Sequence, residues 1–174
     1  MEYWLTQPEV IRKISSHHVT GKPMPENLAT KVCAMQNEFQ TLHYAEQIVN
    51  SLFSLTINSS PEDKLDIEGI YKQISKEVEL LDNGDVNVCP AANSDHYVDR
   101  YCSKYYGYLW AKVFAADLFK SRFLKDGIDN VQTGIEYRKT VLEPGASRNA
   151  MAMLETFLGR KPSTEAFIKM HNLA

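Results

Sequence analysis

The stretch His96–Trp110 reads H-Y-V-D-R-Y-C-S-K-Y-Y-G-Y-L-W and is crowded with aromatic residues. Tyr101, Tyr105 and Tyr108 follow one another at i, i+4 and i+7, so a helix through this stretch would place their three phenols on one face. A phenol is a neutral hydrogen-bond donor at neutral pH, and a row of phenols can hold a peptide carbonyl or the oxyanion that it becomes. The same spacing is also typical of aromatic residues that only pack, and spacing by itself does not separate the two interpretations.

The composition is that of an ordinary soluble globular protein. The chain has 174 residues, enough for one domain with a hydrophobic core, and it is 44% hydrophobic and 24% charged. Its net charge of −3 gives no electrostatic reason to expect nucleic acid or an anionic membrane as a partner. No apolar run approaches the roughly 20 residues that a membrane-spanning helix needs. We therefore expect neither nucleic acid nor a membrane as a partner.

The cysteines and the N-terminal residues bear on the cellular compartment. Cys33, Cys89 and Cys102 are scattered, odd in number and without C-x-x-C spacing, which favours a reducing compartment over a disulfide framework. The first residues, M-E-Y-W, have neither the apolar core of a signal peptide nor the arginine-rich character of a transit peptide. We therefore expect a cytoplasmic protein.

Helical periodicity recurs along the chain, and strand-like alternation is nearly absent. The segments predicted to be helical are 3–15, 25–58, 65–81, 101 to a stop at 125–127, 131–142, 150–158 and 164–171. The second of them is either one long helix or two nearly collinear helices with a shift near Gln40. Val86–Val88 is the one candidate for a short strand. Ser147 and Ser163 are the predicted N-caps of the last two helices.

These segments predict an all-α fold of several helices with at most one short strand. The helix that carries the tyrosines has apolar residues on much of its circumference and is predicted to be the long, buried central helix. We expect residues 1–174 to form a single helical domain.

A search for catalytic and metal-binding patterns finds no complete set. The five histidines are His17, His18, His43, His96 and His171, and no two have the spacing of the zinc-binding H-E-x-x-H pattern. Phosphate-binding loops and the G-x-S-x-G pattern are also absent from the sequence. The residues therefore predict no metal site in this chain.

Three stretches carry motifs of one protein family, in the same order and at compatible separations. Residues 18–25 read H-V-T-G-K-P-M-P, similar to H-Y-x-T-G-x-x-x-P. The His96–Trp110 stretch is similar to H-L-x-G-G-Y-x-A-x-Y-Y-x-Y-L-W, and V-L-E-P-G-A-S at 141–147 with F-L-G-R-K-P at 157–162 is similar to I-L-x-x-G-G-S and F-L-G-R-x-P. From residue 18 to residue 162, the chain thus resembles the C-terminal part of the thimet-oligopeptidase family of zinc metallopeptidases.

The resemblance implies roles for four residues of the aromatic stretch. In the family, the residue matching Tyr108 donates a hydrogen bond to the tetrahedral oxyanion that faces the zinc. The residues matching Tyr101 and His96 help to bind the substrate backbone or the same oxyanion, and the one matching Tyr105 lies on the substrate-facing surface. The H-E-x-x-H helix and the third zinc ligand of the family lie upstream of the matched region. The family's cofactor is therefore zinc, but no zinc is expected on this chain.

One substitution sets this sequence apart from the family motif. The glycine pair that precedes the first tyrosine, in a loop that closes on substrate, is replaced by Asp99 and Arg100. Side chains at both positions restrict the backbone and place two charges beside the expected peptide path, so these residues are candidate substrate contacts. Two interpretations stay open: the pair forms a solvated turn, or the chain has lost selection for peptide turnover.

Three functions remain open at this point. The leading one is the C-terminal, substrate-binding lobe of a zinc metalloendopeptidase acting on short peptides. It is expected to be inactive by itself because the N-terminal, catalytic lobe, which is its expected partner, is missing. The second is a non-catalytic helical module that binds a peptide or a partner and forms a homo-oligomer through an exposed apolar face. The third is a helical fragment without a function of its own.

Overall fold

The computed structural model describes residues 2–35, 38, 40–61, 64–80, 95–97, 101–171 and 173. All regular elements within these ranges are helical, which confirms the predicted all-α class. The strand candidate Val86–Val88 lies outside the described residues. The α-helices are α1 (Pro8–Ile14), α2 (Glu26–Met35), α3 (Gln40–Ser59), α4 (Ile67–Glu79), α5 (Gly107–Leu118), α6 (Leu124–Asp126), α7 (Val131–Tyr137), α8 (Ala150–Leu158) and α9 (Glu165–Met170). None of the helices described is long and apolar enough to cross a membrane.

Contacts between Cα atoms divide the chain into two compact units. The first unit comprises Met1–Glu38 and Lys112–Ala174, and the second comprises Phe39–Ala111. A division by contacts does not test whether either unit folds alone, so the single domain over residues 1–174 stays a prediction. The segment 25–58 forms two helices, α2 and α3, of which the second begins at Gln40.

The core of the first unit is aromatic. Phe119, Phe123 and Phe157 are buried together with Leu118. Trp4 meets Phe119 and Phe123 edge-on, with ring centroids 4.8 and 4.6 Å apart, the arrangement that aromatic quadrupoles favour. The C-terminal end of α5 and the residues that follow it are therefore buried, as the sequence predicts, whereas Tyr108 and Trp110 near its N-terminal end are exposed.

The helix that bears the tyrosines begins later than its periodicity predicts. Cys102–Lys104 form a 3-10 turn and α5 begins only at Gly107, so Tyr101 and Tyr105 precede the helix. Cys102 has a positive φ of 34°, a conformation that costs energy in a residue with a side chain. The hydroxyl of Ser54 on α3 donates a hydrogen bond to the Cys102 carbonyl and holds this turn. A bond between residues 48 apart in sequence leaves no trace in local periodicity.

Two π-helical turns extend α5 and α7, at Phe119–Phe123 and Arg138–Leu142. A π-turn inserts a residue and shifts the side chains that follow it, which an analysis at 3.6 residues per turn does not reveal. The N-cap of α8 is Asn149, whose side chain accepts from the Ala152 N–H at 3.2 Å. The predicted cap Ser147 is wrong, because it lies in a preceding 3-10 turn.

The F-L-G-R-K-P motif of the first unit contributes an arginine that forms an ion pair with a buried aspartate on α5. Gly159 ends α8 with a φ of 70°, in the left-handed region that glycine occupies without strain. The chain then turns so that the Arg160 guanidinium reaches the buried carboxylate of Asp117 on α5, with N···O distances of 2.6 and 2.9 Å. The same carboxylate accepts the Ser163 N–H at 2.8 Å and the Ser121 hydroxyl at 2.9 Å. The motif thus joins the C-terminal segment to α5.

Candidate tyrosine–histidine site

Four of the six predicted site residues come together in the second unit. The His96 ring stacks on Tyr101 with centroids 5.2 Å apart, and it lies 6.0 Å from the rings of both Tyr105 and Tyr108. Tyr108 lies 5.4 Å from Tyr101 and 5.2 Å from Tyr105. We refer to these four side chains as the tyrosine–histidine cluster. The predicted neighbourhood of the three phenols is therefore present, although a turn and a helix start produce it rather than one helical face.

The local backbone explains how the cluster assembles. The Lys104 N–H donates to the Tyr101 carbonyl at 2.6 Å and closes the 3-10 turn. The Tyr108 N–H then donates to the Tyr105 carbonyl at 3.1 Å, at the start of α5. In each turn the chain changes direction, so that the tyrosine after the turn lies close to the one before it.

Tyr108 and Tyr101 are open to solvent and bonded to each other. Their exposed fractions are 38% and 44%. The hydrogen bond with Tyr101, followed by desolvation and by the electrostatic effect of Tyr101, raises the pKa of Tyr108 to about 12. Tyr108 therefore stays a neutral phenol throughout the physiological range. Because the two hydroxyls have two hydrogens and use one between them, one hydrogen remains for a ligand.

His96 is oriented by its neighbour in sequence. Its Nδ1 lies 3.2 Å from Oδ1 of Asp95, and a carboxylate oxygen can only accept. A hydrogen on Nδ1 would face this oxygen, and in that tautomer of the neutral imidazole Nε2 is an acceptor. The cluster thus combines phenol donors with an imidazole acceptor, a pair that matches the C=O and N–H groups of a peptide backbone.

The hydroxyl of Tyr105 takes part in a hydrogen-bond chain with two residues that the sequence analysis did not identify. Asn50 on α3 donates from Nδ2 to the Tyr105 hydroxyl at 3.4 Å, and its Oδ1 accepts from the Tyr97 hydroxyl at 2.6 Å. Tyr97 is 5% exposed, and burial raises its pKa above the ordinary range of a tyrosine. The signal that sequence offered was a polar asparagine next to Val49 on the buried side of a predicted helix.

The two charged candidates, Asp99 and Arg100, lie outside the described residues. Their predicted contacts with substrate therefore stay predictions. The structure gives the surroundings of His96 on one side of this pair and of Tyr101 on the other.

A zinc site does not form among the residues that the structure describes. In those ranges, no group of three or more histidine, cysteine, aspartate or glutamate side chains could hold a metal ion. His17 and His18 stack on each other, with centroids 4.7 Å apart. The described side chains do not fit the ligand set of the zinc that the resemblance implies, so none of them is assigned to it.

Comparison with known proteins decides the family. The sequence profile of peptidase family M3 matches residues 1–173. The chain belongs to peptidase family M3. Saccharolysin of Saccharomyces cerevisiae is 32% identical to it over 171 residues, which cover 97% of this chain and 24% of saccharolysin. Oligopeptidase A of Escherichia coli is 33% identical over 175 residues, 99% of this chain and 26% of that protein.

A third M3 relative is the mitochondrial intermediate peptidase of Pongo abelii, 29% identical over 97% of this chain and 23% of its own length. The chain thus spans about a quarter of the length of the curated relatives it matches. The resemblance to the thimet-oligopeptidase family is confirmed. Cellular location, partners and the roles of single residues are not tested by these matches and stay predictions.

Proposed function

We propose that this chain provides the substrate-backbone-binding part of an M3 zinc peptidase that hydrolyses short peptides. The observation that carries the proposal is the pair Tyr101 and Tyr108, two solvent-exposed tyrosines whose hydroxyls share one hydrogen bond, beside the ring of His96. Membership of family M3 supports a peptide as the ligand.

The proposed role of the phenols follows from how charge develops during peptide hydrolysis. When the carbonyl carbon becomes tetrahedral, its oxygen gains negative charge, and a donor aimed at that oxygen binds it more strongly than it binds the ground-state carbonyl. Tyr108 is that donor: it turns its own hydrogen from Tyr101 to the oxyanion and accepts the hydrogen of Tyr101 in return. In a complete enzyme, loss of one such donor lowers the rate by about 10²–10³-fold.

His96 supplies the complementary contact. With a hydrogen on Nδ1 facing Asp95, its Nε2 accepts a hydrogen bond from a peptide N–H. A donor and an acceptor on the same face fix both the position and the direction of an extended peptide, which is what a backbone-binding surface requires.

The chain alone is proposed to bind peptides without cleaving them. Its sequence contains no H-E-x-x-H pattern, the pattern whose glutamate activates water in zinc peptidases. Zinc, when bound by the complete enzyme, polarises the carbonyl and activates that water. Turnover of a quenched fluorescent peptide by the purified chain, abolished by a chelator, would contradict this part of the proposal.

The test of the binding role compares two exposed tyrosines that are two residues apart in sequence, Tyr108 and Tyr106. A blocked five-residue peptide is titrated into the chain, with tyrosine Cζ carbons labelled for NMR. We expect Tyr108→Phe to weaken binding about tenfold, the effect of one lost hydrogen bond. The control is Tyr106→Phe, which removes the hydroxyl of a tyrosine two residues away whose exposed fraction, 42%, is similar. Equal affinity of the Tyr108 variant and the original chain would overturn the role of Tyr108.

A second candidate function is a helical module that associates with a second copy of itself. Ile48, Leu52 and Leu55 lie at i, i+4 and i+7 on α3, with exposed fractions of 37, 42 and 38%. A row of large apolar side chains at this spacing is typical of a helix that packs against a partner. On this proposal, light scattering gives the mass of a dimer for the chain and of a monomer for Leu52→Glu; a monomer for the unsubstituted chain would rule it out.

A further inference from the structure

Asn50 lies between two phenol hydroxyls and bonds to each with a different end of its amide. Its side chain is buried, with 8% of the residue exposed. Oδ1 lies 2.6 Å from the Tyr97 hydroxyl, and Nδ2 lies 3.4 Å from that of Tyr105. An amide oxygen can only accept hydrogen bonds and an amide nitrogen can only donate them. The direction of the amide therefore decides which phenol gives its hydrogen and which keeps it.

Tyr97 decides that direction. Its ring meets Phe53 edge-on, with centroids 5.0 Å apart, and the residue is 5% exposed. A buried hydroxyl left without an acceptor for its hydrogen is costly, and among the described residues Oδ1 of Asn50 is the acceptor that this hydroxyl meets. The carbonyl end of Asn50 must therefore face Tyr97, which turns the NH₂ end toward Tyr105.

The consequence falls on the hydrogen of Tyr105. Since the Tyr105 oxygen accepts from Asn50, its own hydrogen cannot point at the amide. The ring of Tyr105 lies 5.2 Å from that of Tyr108 and 6.0 Å from that of His96, on the face where the proposed peptide binds. With the opposite amide direction, the same hydrogen would be donated to Asn50 and lost to any ligand.

We propose that Asn50 is a positioning residue, held in one direction by Tyr97, that keeps the hydroxyl hydrogen of Tyr105 available for a backbone carbonyl of the bound peptide. This inference rests on the proposed peptide-binding function and extends it to a third phenol. It assigns the buried pair Asn50 and Tyr97 to the site although neither touches the ligand.

The test reverses the hydrogen bond without changing its shape. When its carboxyl is ionised, Asn50→Asp replaces the donor NH₂ with an oxygen that can only accept, so Tyr105 must turn its hydrogen toward the new carboxylate. We expect the blocked five-residue peptide to bind about three- to tenfold more weakly, the effect of one lost hydrogen bond. Tyr105→Phe should weaken binding equally, and the double variant should be no weaker than either alone. The control Gln47→Glu makes the same amide-to-carboxylate change one turn earlier on α3.

A second observable separates positioning from a merely structural role. The Cζ signal of Tyr105 reports the hydrogen-bond state of its own oxygen, and we expect it to shift in Asn50→Asp but not in Gln47→Glu. If Asn50→Asp does not fold, Tyr97→Phe serves instead. It removes the donor that fixes the amide, so the amide can turn to accept from Tyr105, and peptide binding should fall about threefold.

The outcomes distinguish this inference from the function on which it rests. Peptide binding by the original chain, with equal binding by Asn50→Asp and an unshifted Tyr105 signal, would overturn the role of Asn50 and leave the proposed function standing. Additive losses in the double variant would also overturn it, because they would make the effects of Asn50 and Tyr105 independent. Failure of the original chain to bind the peptide would overturn the proposed function, and this inference with it.

Discussion

The two ends of α5 present polar groups in opposite ways. Near the C-terminal end, the Asp117 carboxylate is buried and accepts four hydrogen bonds, two from Arg160 and one each from Ser163 and Ser121. Near the N-terminal end, the Tyr108 hydroxyl is exposed and bonded to Tyr101. One group has every acceptor position used by the protein, and the other belongs to a pair with a hydrogen to spare.

This difference separates a polar group that serves stability from one that is available for binding. A buried polar group that is fully paired stabilises one conformation and offers nothing to a ligand. An exposed donor held in place by its neighbours contributes little to folding but is ready to bind. If the comparison holds, substitutions near Asp117 will affect stability alone, and substitutions near Tyr108 will affect binding and titration alone.

The largest expected change in stability comes from substituting Asp117, near the C-terminal end of α5. Asp117→Asn leaves Arg160 facing an amide that cannot accept both of its bonds, and we expect the free energy of unfolding to fall by about 3 kcal/mol, at the low end for breaking a buried ion pair because Arg160 is 44% exposed. Urea denaturation measures it. The control Asp129→Asn removes an exposed pair with Lys13 and should change stability by less than about 1 kcal/mol. Similar effects of the two variants would contradict the comparison.

A smaller effect is expected from changing the geometry of the Arg160–Asp117 ion pair while keeping its charge. Arg160→Lys retains one positive charge but cannot make the two parallel bonds to Asp117. We expect a loss of about 1–2 kcal/mol in the free energy of unfolding, between the values for Asp117→Asn and for an exposed pair. Peptide affinity should be unchanged. Loss of peptide binding in this variant would show that the two ends of α5 are not independent.

Acid should lower the free energy of unfolding by protonating the carboxylate of Asp117. Burial alone would raise its pKa, but hydrogen bonds from Arg160, from the backbone of Ser163 and from Ser121 outweigh burial and hold the pKa below its ordinary value. Such a group stabilises the fold fully above its unfolded pKa of about 3.9, and this contribution is lost as pH falls through the folded pKa. We expect the free energy of unfolding to fall less steeply below about pH 4 in Asp117→Asn than in the original chain. Parallel curves would rule out this carboxylate as a source of acid sensitivity.

The smallest effect on stability is expected from substituting Tyr101, next to the N-terminal end of α5. Tyr101→Phe removes the hydrogen bond that is the main cause of the raised pKa of Tyr108. The pKa of Tyr108 should move from about 12 toward the ordinary value of about 10, followed by NMR of labelled Cζ carbons. The free energy of unfolding should change by no more than about 0.5 kcal/mol, as for other exposed positions. An unmoved pKa would mean that Tyr101 does not bond to Tyr108 in solution.

Helical periodicity predicted the class of the fold and most helices, because apolar residues at 3.6-residue spacing must face a core. It did not predict that Cys102–Lys104 leave the helix, because the Ser54 hydroxyl that holds this turn comes from a different helix. The π-turn at Phe119–Phe123 was missed for a related reason, since it changes the period itself. Local periodicity thus predicts the helices, but it misses a turn held by a distant hydrogen bond and a π-turn that changes the period.

The candidate site was predicted in part. Tyr101, Tyr105, Tyr108 and His96 were found because they are chemically distinctive and match a family motif, and the structure brings them together. Asn50 was missed because an asparagine in a helix has many ordinary uses. Its partners are 47 and 55 residues away in sequence, and only the folded chain makes them neighbours.

The amide of Asn50 is a group that can, in a flexible chain, be lost slowly by deamidation. Deamidation would release its nitrogen as ammonia and leave a carboxylate of nearly the same shape, the same chemical change as Asn50→Asp. The reaction begins when the backbone nitrogen of the next residue, Ser51, attacks the side-chain carbonyl, and this requires a backbone conformation that an α-helix does not adopt. Asn50 and Ser51 both lie within α3. The helical backbone of α3 therefore disfavours the loss of the one nitrogen atom on which, in our proposal, the direction of the Tyr105 hydroxyl depends.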